Sequence, residues 1–225
     1  MNPTETGPAK EASPCRRRYL RKLGLTVDCR IKKLQKGILQ DNAGARATLA
    51  KLRRGVNADP GAIPDIWDYT YVDVPDGAPD APTREEMAVH IAMTLYAVHQ
   101  QSRSGPMHKP GFGFGRAARA LVGGEGENPS ARGRFNALVT ASTIAELRSH
   151  LRSFIQLLRS KEEGIGFDYA AFAEDLLAFQ NPGGDRTVRL RWSRDFYNFQ
   201  ASDGEDSSSV NGRDSADGGR PLSAE

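Results

Sequence analysis

The chain has 225 residues, of which 38% are hydrophobic and 26% charged, and its formal net charge is +3. This length suffices for one domain with a substantial core or for two smaller lobes. The N-terminus is too polar for a signal peptide, and no apolar run approaches the ~18 residues of a membrane span. The two cysteines, Cys15 and Cys29, are isolated, which argues against a zinc site. We therefore expect a cytoplasmic protein without a membrane partner.

Charge is strongly separated along the chain. Residues 16–54 carry 13 Lys or Arg against 2 acidic residues, whereas residues 55–90 carry 1 Arg against 8 acidic residues. Arginine accounts for 23 of the 31 basic residues. Its guanidinium suits phosphate geometry, although a GC-rich genome would favour arginine as well. The folded protein is predicted to have an electrostatically polarised surface.

Two helices are predicted near the N-terminus. Residues 1–18 lack apolar periodicity and are predicted to be disordered. Over residues 25–39, apolar residues recur at spacings of four and three, which is typical of an amphipathic helix. Over residues 45–54, Arg46 and Arg53 lie on one edge of an apolar stripe. This second helix is predicted to dock by its stripe and to present its guanidinium groups to a polyanion.

The central part of the chain alternates loops and helices. Residues 57–82 hold five prolines and predict an acidic loop with one short helix near residues 64–69. Thr83 and Glu86 form a capping-box pattern before a helix that runs to about residue 101.

Glycine-rich breaks separate the remaining helices. These breaks lie at residues 111–115 and 123–128. Together with capping residues they predict helices over 116–122, 130–142, 144–161, 167–179 and 185–199. A disordered acidic tail is predicted over 201–225. No segment shows convincing period-two alternation. The prediction is an all-α bundle of about eight or nine helices that divides into two lobes, 19–125 and 126–200.

The residues that could support catalysis do not converge. His90 and His99 are nine positions apart on one helix, so they face opposite sides and cannot bind one metal ion; His90 is interpreted as a core histidine. Glu174 and Asp175 are adjacent and point apart, and Cys29 has no histidine nearby in sequence. We predict a non-catalytic protein without metal or cofactor.

The loop GFGFG at residues 111–115 resembles a phosphate cradle. A nucleotide-binding loop would need a preceding strand or a Walker lysine, and neither is present. Its glycines are predicted to allow close backbone approach or to start the next helix. Lys109, Arg116 and Arg119 flank this loop, and His108 beside it could bind a phosphate or a neighbouring carbonyl.

Further arginines recur on the C-terminal helices. Arg132 and Arg134 lie near the start of one helix, and Arg191 and Arg194 share a face of the last helix. Such rows suit sequence-independent tracking of phosphates.

Other residues of these helices are predicted to be structural. Arg148, Arg152 and Arg159 are interpreted as a solvated helix face, and Trp192 and Tyr197 as core anchors.

The order of these segments resembles a known family. ARATLAKLRRG, AVHIAMTLYAVHQ, MHKPGFGFGRAARAL and RTVRLRWSRDFY follow one another across residues 43–199. They resemble CasB, the small subunit of the type I-E CRISPR Cascade complex. The resemblance implies an all-helical, non-catalytic subunit that pairs with a second copy and contacts the backbone and large subunits. It implies support of guide RNA–target DNA pairing and of the displaced DNA strand, which stabilises the R-loop.

The resemblance also places the phosphate contacts. They would be made by Arg46, Arg53, Lys109, Arg116, Arg119, Arg132, Arg134, Arg191 and Arg194. Two other functions remain open on the sequence: a helical adaptor that binds acidic protein partners, and a nucleotide-dependent enzyme that uses the glycine loop.

Overall fold

The computed structural model describes residues 17–74, 76–78, 80–123 and 127–199. Within these ranges the fold is all-α, with nine α-helices, two short 3-10 helices and no strand. The helices are α1 (Lys22–Leu39), α2 (Ala43–Arg54), α3 (Trp67–Thr70), α4 (Arg84–Gln100), α5 (Phe114–Val122), α6 (Pro129–Thr140), α7 (Ile144–Ser160), α8 (Tyr169–Phe179) and α9 (Gly184–Tyr197). The all-α prediction is confirmed. Disorder is predicted over residues 1–18 and 201–225, of which 1–16 and 201–225 lie outside the described residues. Arg17 and Arg18 are described, and both form ion pairs with acidic residues of the helices.

Local capping chemistry sets several helix starts. The Asn42 side chain accepts a hydrogen bond from the amide of Ala45 and begins α2. Thr83 and Glu86 form the predicted capping box at the start of α4. The Asp168 side chain accepts from two amides of the first turn of α8.

Helix α4 lies at the centre of the molecule. It is buried on every face from Ala88 to Gln100 and packs against α1, α2, α7 and α8. A helix that is buried all round is a core helix, and its polar residues need internal partners. His90 accordingly bonds the carbonyl of Gly55, and His99 bonds the hydroxyl of Tyr169. The interpretation of His90 as a core histidine is confirmed.

Helices α5, α6 and α9 form a second packed group against α7 and α8. Aromatic rings fill the space between these helices, and Phe114 contacts the rings of Phe154 and Trp192. Gly115 allows the close approach of α5 to α9, because a Cβ atom at this position would clash with the carbonyl oxygen of Trp192. The predicted role of the glycine loop in close packing is confirmed at Gly115.

The described residues contain no helix with both the length and the apolar character that a bilayer crossing requires. Helix α4 belongs to the predicted N-terminal lobe, yet it packs on α7 and α8 of the predicted C-terminal lobe. The division into two lobes stays a prediction.

Candidate nucleic-acid interface

The C-terminal halves of α5 and α9 meet the N-terminal half of α6 at one basic surface. The guanidinium carbon of Arg132 lies 4.8 Å from the ring centroid of Phe196 and 5.5 Å from that of Tyr197. Arg119 approaches the Phe196 ring at 5.6 Å. Arg194 lies one helical turn before Tyr197, so the two side chains are neighbours on α9. We call Arg119, Arg132, Arg194 and Tyr197 the α5–α6–α9 surface.

The cations of this surface lack acidic partners within the described part of the chain. There, neither Arg119, Arg132 nor Arg194 forms a salt bridge. Arg134 is exposed and lies on the opposite side of α6 from Arg132, because two positions turn a helix by about 200°. Lys109 is exposed as well. Neither Arg134 nor Lys109 forms a salt bridge within the described residues. Guanidinium groups held at a surface without counter-charges favour an external anion.

Three other predicted phosphate contacts already carry internal partners. The Nε atom of Arg116 lies 2.9 Å from a carboxylate oxygen of Asp195. Arg191 is paired with Asp175, and Arg46 with Asp41. Phosphate binding by these three residues would compete with ion pairs of the fold.

Arg46 and Arg53 lie apart from the α5–α6–α9 surface. Helix α2 packs on α1 and α4, whereas α5, α6 and α9 pack on one another. Both arginines line an open groove of about 610 Å³ together with Arg103. The predicted site residues therefore form two groups on different helices, and their contact with nucleic acid stays a prediction.

A buried charge cluster joins the N-terminal segment to α1 and α8. The Arg17 guanidinium lies 2.6 Å from Asp28 and 2.8 Å from Asp168. His108 accepts a bond from the amide of Tyr169 at Nδ1, so its Nε2 carries the proton and donates to Asp28 at 3.0 Å. The prediction that His108 binds a phosphate or a carbonyl is wrong, because a carboxylate takes that role.

The cluster shifts the pKa values of its acids. Burial alone would raise the pKa of Asp28, but hydrogen bonds from Arg17, Lys32 and His108 outweigh burial and hold it well below its usual range. Burial likewise opposes the shift of Asp168, whose pKa is lowered by Arg17 and by backbone amides. Both acids are therefore ionised at neutral pH.

Asp28, His108 and Asp168 are also ligand types that a divalent cation accepts. Here the guanidinium of Arg17 lies between the two carboxylates and supplies the positive charge. The two carboxylates therefore bind the Arg17 guanidinium, and a metal ion would have to displace this guanidinium. The sequence singled out only His108 of this cluster, because its members are far apart in the chain.

The glycine loop does not offer a phosphate cradle. The amide of Gly111 donates to the Asp168 carboxylate at 2.8 Å, and the amide of Phe112 donates to the carbonyl of Lys109. These loop amides are thus used within the fold, which disfavours the nucleotide-dependent enzyme.

The interpretation of the α7 arginines as a solvated face is wrong for Arg148 and Arg159 and holds for the exposed Arg152. Arg148 donates to the carbonyls of Val56 and Ala58, and Arg159 donates to a carbonyl that follows α4. Arg152 is exposed but donates to Asn57.

Trp192 and Tyr197 were both predicted to be core anchors, but they differ in solvent exposure. Trp192 is a core residue with 2% exposure, as predicted. Tyr197 is 68% exposed and is not a core anchor, because five positions turn α9 by about 500° and so place it roughly 140° away from the buried Trp192.

Comparison with known proteins gives a consistent family. Residues 48–197 match the family model described as CRISPR-associated protein Cse2. A curated relative from Thermus thermophilus, the CRISPR-associated protein Cse2, is 30% identical over 171 residues, which are 74% of this chain and 88% of the relative.

Solved structures agree with this match. The crystal structure of CasB from Thermobifida fusca is similar with a TM-score of 0.65 and 35% identity, covering 80% of this chain and 99% of that one. The crystal structure of a Cse2-family protein from Thermus thermophilus is similar with a TM-score of 0.57 and 26% identity, covering 79% of this chain and 99% of that one.

Proposed function

Because the chain belongs to the CRISPR-associated protein Cse2 family, we propose that it is a non-catalytic subunit of a type I-E CRISPR Cascade complex in the cytoplasm. It contacts the backbone and large subunits and pairs with a second copy of itself. It binds guide RNA and the target or displaced DNA strand through phosphate contacts that do not read sequence. These contacts support guide–target pairing and stabilise the R-loop.

The observation that supports this proposal is a set of cations without counter-charges in the described part of the chain. Arg119, Arg132, Arg134 and Arg194 lie on α5, α6 and α9 without a salt bridge to any described carboxylate. By contrast, Arg17, Arg18 and Arg191 are all paired with acids of the fold. These three arginines have carboxylate partners, whereas the arginines of the first group are available to an external anion.

Modest phosphate contacts suffice for the proposed role. Exchange of a DNA duplex for an RNA–DNA heteroduplex is nearly balanced in free energy, so backbone contacts by protein can decide its direction. Each phosphate contact on a single strand also steepens the dependence of log affinity on log salt by about 0.7.

We expect the full-length protein to bind single-stranded DNA with an affinity that falls steeply between 50 and 300 mM salt, roughly as expected for several phosphate contacts. The double variant Arg119→Gln/Arg194→Gln should bind more weakly and should reduce the salt slope by about 1.4, because it removes two contacts of the α5–α6–α9 surface. Fluorescence anisotropy with a labelled oligonucleotide measures both quantities.

A matched control removes the same charge elsewhere. Lys33 and Lys36 are exposed on α1, which packs on α8, α4 and α2 instead of the α5–α6–α9 surface. The variant Lys33→Gln/Lys36→Gln should keep the parent slope. An affinity independent of salt, or an equal loss in both double variants, contradicts the proposed phosphate contacts.

The same variants test the role in the complex. Reconstituted Cascade that carries the arginine variant should assemble normally but form fewer stable R-loops on target DNA. Complex that carries the lysine variant should behave like the parent. Unchanged R-loop formation with the arginine variant would restrict these contacts to the isolated subunit.

The adaptor hypothesis has less support. Basic residues do bind the acidic loop 57–82, as Arg54 does at Asp65 and Lys22 at Asp73. These contacts are internal to the chain and are exposed, so they contribute little free energy. An acidic protein partner that competes fully with DNA would favour the adaptor.

A further inference from the structure

We propose that Tyr197 is a stacking platform for one unpaired nucleobase, and that Arg132 holds its ring in place. The inference rests on the proposed function and adds a contact of a different kind, with a base instead of a phosphate. It therefore distinguishes a single strand from a duplex at the same surface.

Tyr197 is exposed, unlike the two other aromatic residues of α9. Trp192 and Phe196, on the same helix, are buried at 2% and 0% exposure, whereas Tyr197 is 68% exposed. A large aromatic ring gains free energy when its surface leaves water, so an exposed ring is available for an apolar partner.

The ring is also fixed in orientation. Arg132 donates from Nη2 to the Tyr197 hydroxyl oxygen at 2.6 Å. The ring of Phe196 packs against that of Tyr197 edge to face, with centroids 5.2 Å apart and an interplanar angle of 71°. Because the phenol is held from two sides, a ligand that stacks on it loses little additional ordering entropy.

The charges around Tyr197 select the ligand. Arg132 and Arg194 are its cationic neighbours, and the adjacent Asp195 is engaged by Arg116. These cations disfavour a positively charged ligand and favour an aromatic ring that is attached to an anionic backbone. A nucleobase meets both conditions, since every base presents a π face and carries a phosphate on each side.

The base must be unpaired. In a duplex each base already stacks on its neighbours, so a protein aromatic ring gains access only to strands that are open. The platform therefore favours single-stranded nucleic acid over a duplex of equal length and equal phosphate number.

The test compares two oligonucleotides of the same length, one of deoxythymidine and one of abasic residues, with the full-length protein. Both carry the same phosphates, and only the first carries bases. We expect the parent to bind the thymidine strand at least about fivefold more tightly. Tyr197→Ser should lose most of this ratio and leave the abasic affinity unchanged, whereas Tyr197→Phe should retain most of the ratio.

Tyr71→Ser provides the matched control, because Tyr71 is also exposed, at 58%, but lies within the acidic loop 57–82. It should keep the parent ratio. The stacking platform is overturned if Tyr197→Ser keeps the preference for the thymidine strand, or if it loses affinity equally for both strands. In either case, salt-dependent binding still supports the phosphate contacts. If the parent binds neither strand, both the platform and the proposed function are wrong.

Discussion

Arg17 connects two distant parts of the chain through its guanidinium. It donates to Asp168, 151 positions later, and to Asp28 on α1. Asp168 has 1% exposure of its side chain, so its charge depends on this partner and on backbone amides. Removal of one member of a buried ion pair is costly, because the remaining charge stays desolvated.

We expect Arg17→Gln to lower the free energy of unfolding by about 2 kcal/mol or more at pH 7. Arg17 lowers the pKa of both acids, so the stabilisation is complete above their unfolded value of about 4 and is lost as the pH falls below it. The difference between parent and variant should therefore shrink between about pH 4 and pH 2. Urea unfolding followed by circular dichroism measures it.

Lys22→Gln is the control, because the ion pair of Lys22 with Asp73 is almost fully exposed. It should change the free energy of unfolding by less than about 0.5 kcal/mol. A loss of similar size in both variants would contradict a special role of Arg17.

Single residues were the least predictable part of the site. The sequence singled out Arg132 and Arg194, but it could not show that Arg17 and Arg191 would be paired, because their acidic partners lie on other helices. Tyr197 was misassigned because its exposure depends on which faces of α9 the neighbouring helices cover.

At the scale of elements, apolar spacing was a sound guide to the helices. The periodicity that predicted residues 25–39 matches α1, whose Val27, Ile31 and Leu34 are buried. The capping box predicted where helix α4 begins, but the sequence did not show that this helix is buried all round, because that depends on its packing against α1, α2, α7 and α8. Local pattern thus determines the helix, and tertiary packing decides how many faces are covered.

The contact between α5 and α9 yields a test at the same scale. We expect Gly115→Ala to lower the free energy of unfolding by about 2 kcal/mol, because the new methyl group would meet the backbone of α9 at Trp192 and Phe196. Thermal or urea unfolding of the full-length protein measures the change.

Gly133→Ala is the matched substitution, since Gly133 lies in α6 with no described atom within 4 Å of the added Cβ position. It should raise the free energy of unfolding by up to about 1 kcal/mol, as replacement of a helical glycine does. A lower free energy of unfolding for Gly115→Ala and a higher one for Gly133→Ala support the close approach of α5 and α9. A higher free energy of unfolding for both variants would contradict it.

For the whole molecule, charge distribution was visible from the sequence but its pairing was not. The basic segment 16–54 predicted a polarised surface. The fold instead uses part of that segment internally, at Arg17 and Arg18, and places arginines without a described acidic partner on α5, α6 and α9. Sequence shows how much charge a segment has, whereas folding decides which charges remain for a partner.

The acidic tail gives a prediction for the whole chain. Residues 200–225 carry six acidic residues against two arginines and follow shortly after α9, which contributes Arg194 to the basic surface. We expect deletion of the tail to tighten binding of single-stranded DNA by about two- to fivefold at 50 mM salt, because a local anion is removed. The gain should decline at 300 mM, where charges are screened within several ångströms.

A tail of equal length in which Asp and Glu are replaced by Asn and Gln should reproduce the deletion. An effect of the deletion that the neutral tail lacks would show that bulk or contact, instead of charge, is responsible.

The packing of α1 on α8 also bears on synthesis of the protein. Helix α1 ends at residue 39, and α8, one of the three helices that pack on it, begins at residue 169. A ribosome adds roughly 5–20 residues per second, so α1 waits for about 7 to 26 s before α8 is made. Throughout that interval the part of α1 that packs on α8 is uncovered in the nascent chain, and an interrupted chain ending before α8 is a substrate for chaperones and proteases.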